Sequence, residues 1–258
     1  MSALRKLWVL AALLGLAAAG CMQVEQETTI NPDNSADLKI HYAMSEGAVA
    51  QIEAMKQMAA KDPNFKMQAS GPSLAFDEAS IRAGLEKDKK DGVEVKSVKT
   101  ETRDGWKHVY LEVHCADLAT ATKTGQASSG SGFSLTKNAD GNYLLELVSK
   151  DRPGGQDDKV PSAEEQQMAK AMMAGLKVSI KVRVPGDIIE TTAPVKDART
   201  AAWTLDISDE KFFEKSAEFG KKGMKVVFKG EGLNLKEFKA PPPPAKAPAP
   251  VPAPAPEE

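Results

Sequence analysis

After a short start that carries Arg5 and Lys6, the chain runs through a long apolar stretch and then changes period. Leu7 to Ala19 is apolar throughout, interrupted only by Gly15. At about 13 residues it is short for a bilayer span and right for the core of an export signal. From Gln23 to Ile30 polar and apolar residues alternate, predicting a strand. Asn31-Pro32-Asp33-Asn34 has turn composition, and Ala36 to Met44 returns with Leu38, Ile40 and Tyr42 on one face. Ser45 is placed to cap a helix from Glu46 to Lys61, with Ile52, Met55 and Met58 on one side. Asp77 caps a second helix that runs to about Lys89 and stops at Gly92.

Hairpin signals follow. Val93 to Thr102 and Trp106 to Cys115 flank an Arg103-Asp104-Gly105 turn. Phe133 to Lys137 and Asn142 to Val148 flank Asn138-Ala139-Asp140-Gly141. Thr120 to Gly132 reads as a loop, and Gly154 to Asp158 as a mobile one. A helix from Pro161 to Met173 is capped by Ser162, and Leu176 to Val184 alternates strongly. Pro185-Gly186 turns into Ile188 to Thr192, Thr200 to Ile207 carries Trp203, Asp209 opens a helix to about Lys215, and Met224 to Phe228 is a last strand. This order predicts an α+β fold: an antiparallel sheet of hairpins with helices packed on one face.

Three segments result. Residues 1–20 are an export signal, 21–239 a single α+β domain, and 240–258 a Pro/Ala-rich tail. Proline fixes φ and removes donors, so the tail is expected to be disordered and extended as polyproline II. The formal charge is −2 for the whole chain. Removing Arg5 and Lys6 with the signal leaves 32 basic against 36 acidic side chains, near −4. That balance argues against general nucleic-acid binding, which needs a net basic face.

The most specific signal is Leu16-Ala17-Ala18-Ala19-Gly20-Cys21. Small residues before a cysteine suit the lipoprotein signal peptidase, and the Cys21 thiol then carries a diacylglyceryl group with palmitate-type chains. Ala18 stands where leucine is usual, and Ala17-x-Ala19 would also suit ordinary signal peptidase, which would release a soluble protein. Each buried methylene contributes about 0.8 kcal/mol, so a multiply acylated Cys21 is a stable anchor to the membrane. Met22 stands where aspartate would favour inner-membrane retention. The expected location is therefore the cell envelope, on the extracytoplasmic side, at the outer membrane if the host has one. Because the first hairpin starts at the anchor, the domain is expected close to the bilayer. Cys115, the other cysteine, is expected as a buried strand residue.

No constellation points to catalysis, a metal or a cofactor. His108 and His114 share a strand face, expected to be solvated, but lie roughly 20 Å apart at about 3.3 Å per residue, too far to share an ion. Glu112 is about 7 Å from His114 by the same spacing, and His41 is expected as a surface residue. Asp157-Asp158 reads as solvated. Met55, Met58, Met168, Met172 and Met173 suit core filling, or an adaptable apolar pocket. No nucleophile elbow, zincin, P-loop or dinucleotide motif occurs, and Gly130-Ser131-Gly132 lacks the context of a phosphate cradle. A non-enzyme is expected.

Two segments carry a family resemblance. One runs from Cys21-Met-Gln-Val-Glu-Gln-Glu-Thr-Thr-Ile30 to Tyr42-Ala-Met-Ser45. The other is Val184-Pro-Gly-Asp-Ile-Ile-Glu190-Thr-Thr192 with Thr200-Ala-Ala-Trp203-Thr-Leu205. A lipidated cysteine entering a strand–turn–strand, then a Pro-Gly-led strand pairing with a tryptophan strand, resembles the LppM-like bacterial lipoproteins over roughly residues 21 to 207. The resemblance implies an α+β domain associated with envelope lipid or glycolipid binding rather than catalysis. The Pro/Ala tail departs from mycobacterial members, which end in a hydrophobic segment. The alternative is a structural or interaction lipoprotein that contacts peptidoglycan or an envelope protein, the protein partner being unspecified by the sequence.

Overall fold

The computed structural model describes residues 22–61, 75–86, 92–123, 131–149 and 162–239. The signal, Cys21, the Pro/Ala tail, Gly130 and the Gly154–Asp158 loop lie outside the described residues. Strand β1 (Met22–Ile30) and β2 (Ala36–Ser45) form the first hairpin, in full register from Met22↔Met44 to Ile30↔Ala36. Its turn is held by Asp33, whose carboxylate accepts from the Ser35 amide at 3.0 Å and the Ser35 hydroxyl at 2.6 Å. β3 (Val93–Arg103) and β4 (Trp106–Cys115) form the second. Asp104 (φ 54) and Gly105 (φ 76) both take the left-handed conformation, the signature of a two-residue type I′ turn. Along β3 the apolar positions Val93, Val95 and Val98 change parity, and the register shifts there, between Val95 and Ser97.

β7 (Lys177–Arg183), β9 (Val195–Lys196) and β10 (Thr200–Asp206) complete a seven-stranded sheet in the order β3-β4-β2-β1-β7-β10-β9. β1 is therefore its central strand. The α+β class holds, and neighbouring strands are antiparallel with one exception: β1 and β7 run parallel, Gln23 opposite Lys177 through Thr29 opposite Arg183. A parallel pair needs a long crossover, here everything from β2 onward.

The strands form two sheets rather than one. β5 (Ser131–Lys137), β6 (Tyr143–Ser149), β11 (Met224–Phe228) and β8 (Ile188–Thr191) make a four-stranded antiparallel sheet in the order β5-β6-β11-β8. The Pro-Gly-led strand thus pairs with β11 and not with the Trp203 strand. The chain crosses between sheets at Pro185-Gly186, where a Cβ on Gly186 would meet the Lys229 carbonyl oxygen at 2.0 Å. Only a residue without a side chain admits that approach.

The helices are α1 (Glu46–Lys61), α2 (Glu78–Glu86), α3 (Leu118–Lys123), α4 (Ala163–Met172) and α5 (Phe212–Lys222). α3 replaces the start of the expected 120–132 loop, because Asp117 caps it through the Thr120 amide at 2.6 Å. α5 starts later and runs longer than expected, closing at Gly223 (φ 62). One apolar core joins both sheets: Leu38, Val109 and Val182 from the first, Tyr143 and Phe228 from the second, with Ile81 and Leu118 from helices. The Tyr42 hydroxyl, pushed up to about 12 by burial and by nearby Asp77, donates to the Ala75 carbonyl and ties the entry to α2 onto β2. The final segment laces over the second sheet through paired Leu135–Phe238 backbone bonds and the Leu235 amide, which donates to the Tyr143 hydroxyl at 2.9 Å.

Two glycines give opposite expectations. Gly186→Ala forces a side chain into backbone and should lower unfolding free energy by about 3 kcal/mol. Gly84→Ala, in α2 with nothing within 4 Å of the new Cβ, should raise it by about 0.5–1 kcal/mol. Urea melts of the two variants check both signs.

Candidate functional site

The main sheet sorts its residues by parity. One face carries the core, and the other carries polar side chains. On that polar face the β1–β2, β2–β4 and β3–β4 registers align Glu25 opposite His41, His41 opposite Tyr110, and Glu101 opposite His108. The His41 and Tyr110 rings stack with centroids 4.4 Å apart and planes 3° apart. His41 meets His108 differently. Their planes differ by 11°, their centroids are 5.4 Å apart, and His41 Nε2 faces His108 Nδ1 at 3.1 Å, an edge-to-edge contact. A bond of this kind needs a proton on one facing nitrogen and a lone pair on the other.

This pairing corrects two sequence expectations. His41, expected as a surface residue, is a partly covered member of a ring cluster. His108 is 9% exposed and not solvated, because His41 and Tyr110 cover it. Burial lowers its pKa first, and the neighbouring His41 and Arg103 lower it further, against an opposing effect of Glu101. His114 is apart from this pair and sits 2.8 Å from Asp37. The Asp37 carboxyl is held below its ordinary value by the Asn31 amide and then by His114. Among the described residues no three His, Cys, Asp or Glu side chains are placed to hold a metal ion.

Cys115 is fully buried in the core at 0% exposure. Of the methionine set, Met168 is 67% exposed on α4, which the capping box of Ser162 and Glu165 holds helical; the side chains of Met55, Met58 and Met172 lie outside the described ones.

The apolar concavity lies elsewhere. β9 covers β10 only at Ala201 and Ala202, opposite Lys196 and Val195. Beyond that point the β10 edge is left between α5 and the 192–195 segment, enclosing about 340 Å³. Its apolar lining comes from Trp203, Leu205, Phe219, Pro194 and Val195, and its rim from Lys215, Lys222 and Glu218. Lys215 is ion-paired with Asp209, and Lys222 with Glu218 at 2.6 Å. A second, more open hollow of about 550 Å³ is lined by polar turn residues such as Asp140, Asn142 and Lys229.

Trp203 distinguishes the first cavity. It is 5% exposed, and its indole Nε1 is buried with no hydrogen-bond partner among the described residues. A buried donor left without an acceptor costs about 1–3 kcal/mol, and buried indoles usually find one. Sequence reading put Trp203 on a strand but gave no sign of this orphan, because it depends on what α5 and the 192–195 segment place beside the ring.

Among the described residues no helix is long and apolar enough to cross a membrane. The architecture is that of a two-sheet α+β domain whose central strand starts at residue 22. A family model, the LppM domain, matches residues 23–219, and the chain belongs to the LppM domain family. At the family level this is a lipoprotein-type envelope protein. Among solved structures, the folded domain of LppM from Mycobacterium tuberculosis, determined by NMR, is similar at 17% identity and a TM-score of 0.38, over 82% of this chain and 91% of that one. No curated protein matches the chain by sequence.

His108 makes stability depend on pH. The folded pKa of His108 lies below its ordinary 6.5, so the unfolded chain takes up a proton first as pH falls. The contribution is complete above the unfolded value and is lost below it. Acidification from about pH 7.5 to 5.5 should therefore lower Tm, and His108→Gln should flatten that slope. Thermal melts of both proteins across the range check this; equal slopes would contradict it.

Proposed function

We propose that the protein is a non-catalytic lipoprotein, anchored by acylated Cys21 on the extracytoplasmic side of the envelope, that binds an apolar or amphipathic ligand in the Trp203 cavity. Where the host has two membranes, Met22 after the cysteine favours the outer one. The observation that carries the ligand reading is the mainly apolar cavity lined by Trp203, Leu205 and Phe219, whose Trp203 Nε1 is buried without a partner among the described residues. An amphipathic molecule suits the cavity: its hydrocarbon body against Leu205 and Phe219, and its polar end toward the rim of Lys215, Glu218 and Lys222. The volume is at the small end of the roughly 300–1,000 Å³ typical of ligand sites, which fits one chain or a compact ring rather than a whole diacyl lipid.

The non-catalytic reading is supported by the same lining. The two cavity lysines and Glu218 are held in ion pairs, and the remaining side chains are aromatic, aliphatic or hydroxyl. The histidine pair lies on the opposite, polar face of the main sheet.

The experiment has two steps. Native mass spectrometry after gentle extraction should show a bound small molecule. In a Trp106→Phe chain, where Trp203 is the single tryptophan after Cys21, added fatty acid or lysolipid should shift the emission. Trp203→Phe, which removes part of the apolar wall, should bind about tenfold more weakly, with occupancy read by native mass spectrometry. A chain recovered ligand-free, whose Trp203 emission ignores every added lipid, would contradict the proposal.

A further inference from the structure

We propose that the anchor end of the main sheet is a membrane-contact surface, with Trp106 on β4 and Met168 on α4 lying against the bilayer on either side of β1. The inference rests on Cys21 being the lipid attachment point.

The strand registers define which residues share that end. Met22 opens β1 and pairs with Met44, Met44 pairs with Lys107, and Ser45 pairs with Trp106. Trp106 is thus two strands from the start of β1, about 10 Å at a spacing of ~4.8 Å. On the other flank Gln23 pairs with Lys177, the first residue of β7. α4 ends five residues before Lys177, joined by a turn in which the Leu176 amide donates to the Met173 carbonyl at 2.9 Å. β4, β1 and the α4–β7 junction therefore reach one end together.

Consecutive Cα atoms are about 3.8 Å apart, so acyl chains on Cys21 hold this end against the membrane with no spacer. β1 is the central strand. It cannot swing away from its neighbours without breaking ladders on both sides, so its lateral neighbours are brought to the headgroups with it.

The side chains there suit that position. Trp106 is half-buried at the end of its strand, and indoles settle at headgroup level, with an apolar body and a donor tip. Arg103, opposite it, is 62% exposed. On the other flank, none of the α4 residues with described burial is buried, and Met168 is a large apolar side chain in the open.

The test uses the mature chain, coupled through Cys21 to maleimide-lipid vesicles of phosphatidylcholine with or without brominated acyl chains. Cys115 is fully buried and does not compete. Trp8 precedes Cys21, so Trp203→Phe leaves Trp106 as the sole fluorophore. Its emission should fall about twofold in brominated vesicles and shift to the blue. Met168→Trp, with Trp106→Phe and Trp203→Phe, should respond likewise. The Trp106→Phe chain, reporting only Trp203, should not respond.

Either probe unquenched in coupled protein overturns the surface. So does a shift that follows protein density instead of bromination, which would mark contact between copies. The anchor reading fails separately: a native N-terminal peptide with an unmodified Cys21 thiol would remove the tether, whatever the coupled vesicles show.

Discussion

The structure depends on the parallel pairing of β1 with β7. That ladder joins residues 23–29 to residues 177–183 and is the one junction in the main sheet between its N-terminal and C-terminal strands. On one side stand β2, β4 and β3, built from local hairpins. On the other stand β7, β10 and β9, which arrive after the chain has laid down β5, β6 and four helices. Without the ladder, each part of the sheet exposes an edge with unpaired backbone donors and acceptors. The second sheet depends on it too, because β8 follows β7 after the Gly186 crossing and supplies that sheet's outer strand.

Placing the first strand at the centre has consequences for a lipoprotein. Many anchors lead into a flexible spacer, which separates the motions of domain and membrane. Here the cysteine directly precedes a strand paired on both sides. Under the proposed anchoring, an acylated residue 21 is coupled to the orientation of the whole sheet, and the polar face with its histidine cluster would stand at a defined angle to the bilayer. The cavity beside Trp203 lies across β7 from β1, at the far side of the same sheet. The start of β1, the polar face and the cavity are therefore parts of one sheet, set by the order of seven strands.

Local chemistry was readable in the chain and long-range pairing was not. Asp104-Gly105 and Asp140-Gly141 announce their hairpins because their turns need left-handed backbone, and Ser162 with Glu165 announces a helix start. The parity change between Val95 and Val98 marks the bulge. No local signal says that β1 will pair with a strand some 150 residues away, or that β8 will leave the main sheet. The histidines show the same limit. Spacing along one strand correctly separates His108 from His114, but the partner of His108 is His41, brought in by the β2–β4 register from 67 residues away. Trp203 was visible as a strand residue, while its unpartnered nitrogen is a property of the packed state alone.

The family model places the chain among LppM domains, and the central position of β1 gives that placement a physical meaning for an anchored protein. Native-state hydrogen exchange resolved by residue tests this most directly. The amides of Val24 to Ile30 should exchange as slowly as those of Val109 to Val113 in β4, since both strands are interior and open only when the sheet opens. Amides in β1 that exchange orders of magnitude faster, with β4 still protected, would show a frayed tether in place of a central strand and would contradict the account.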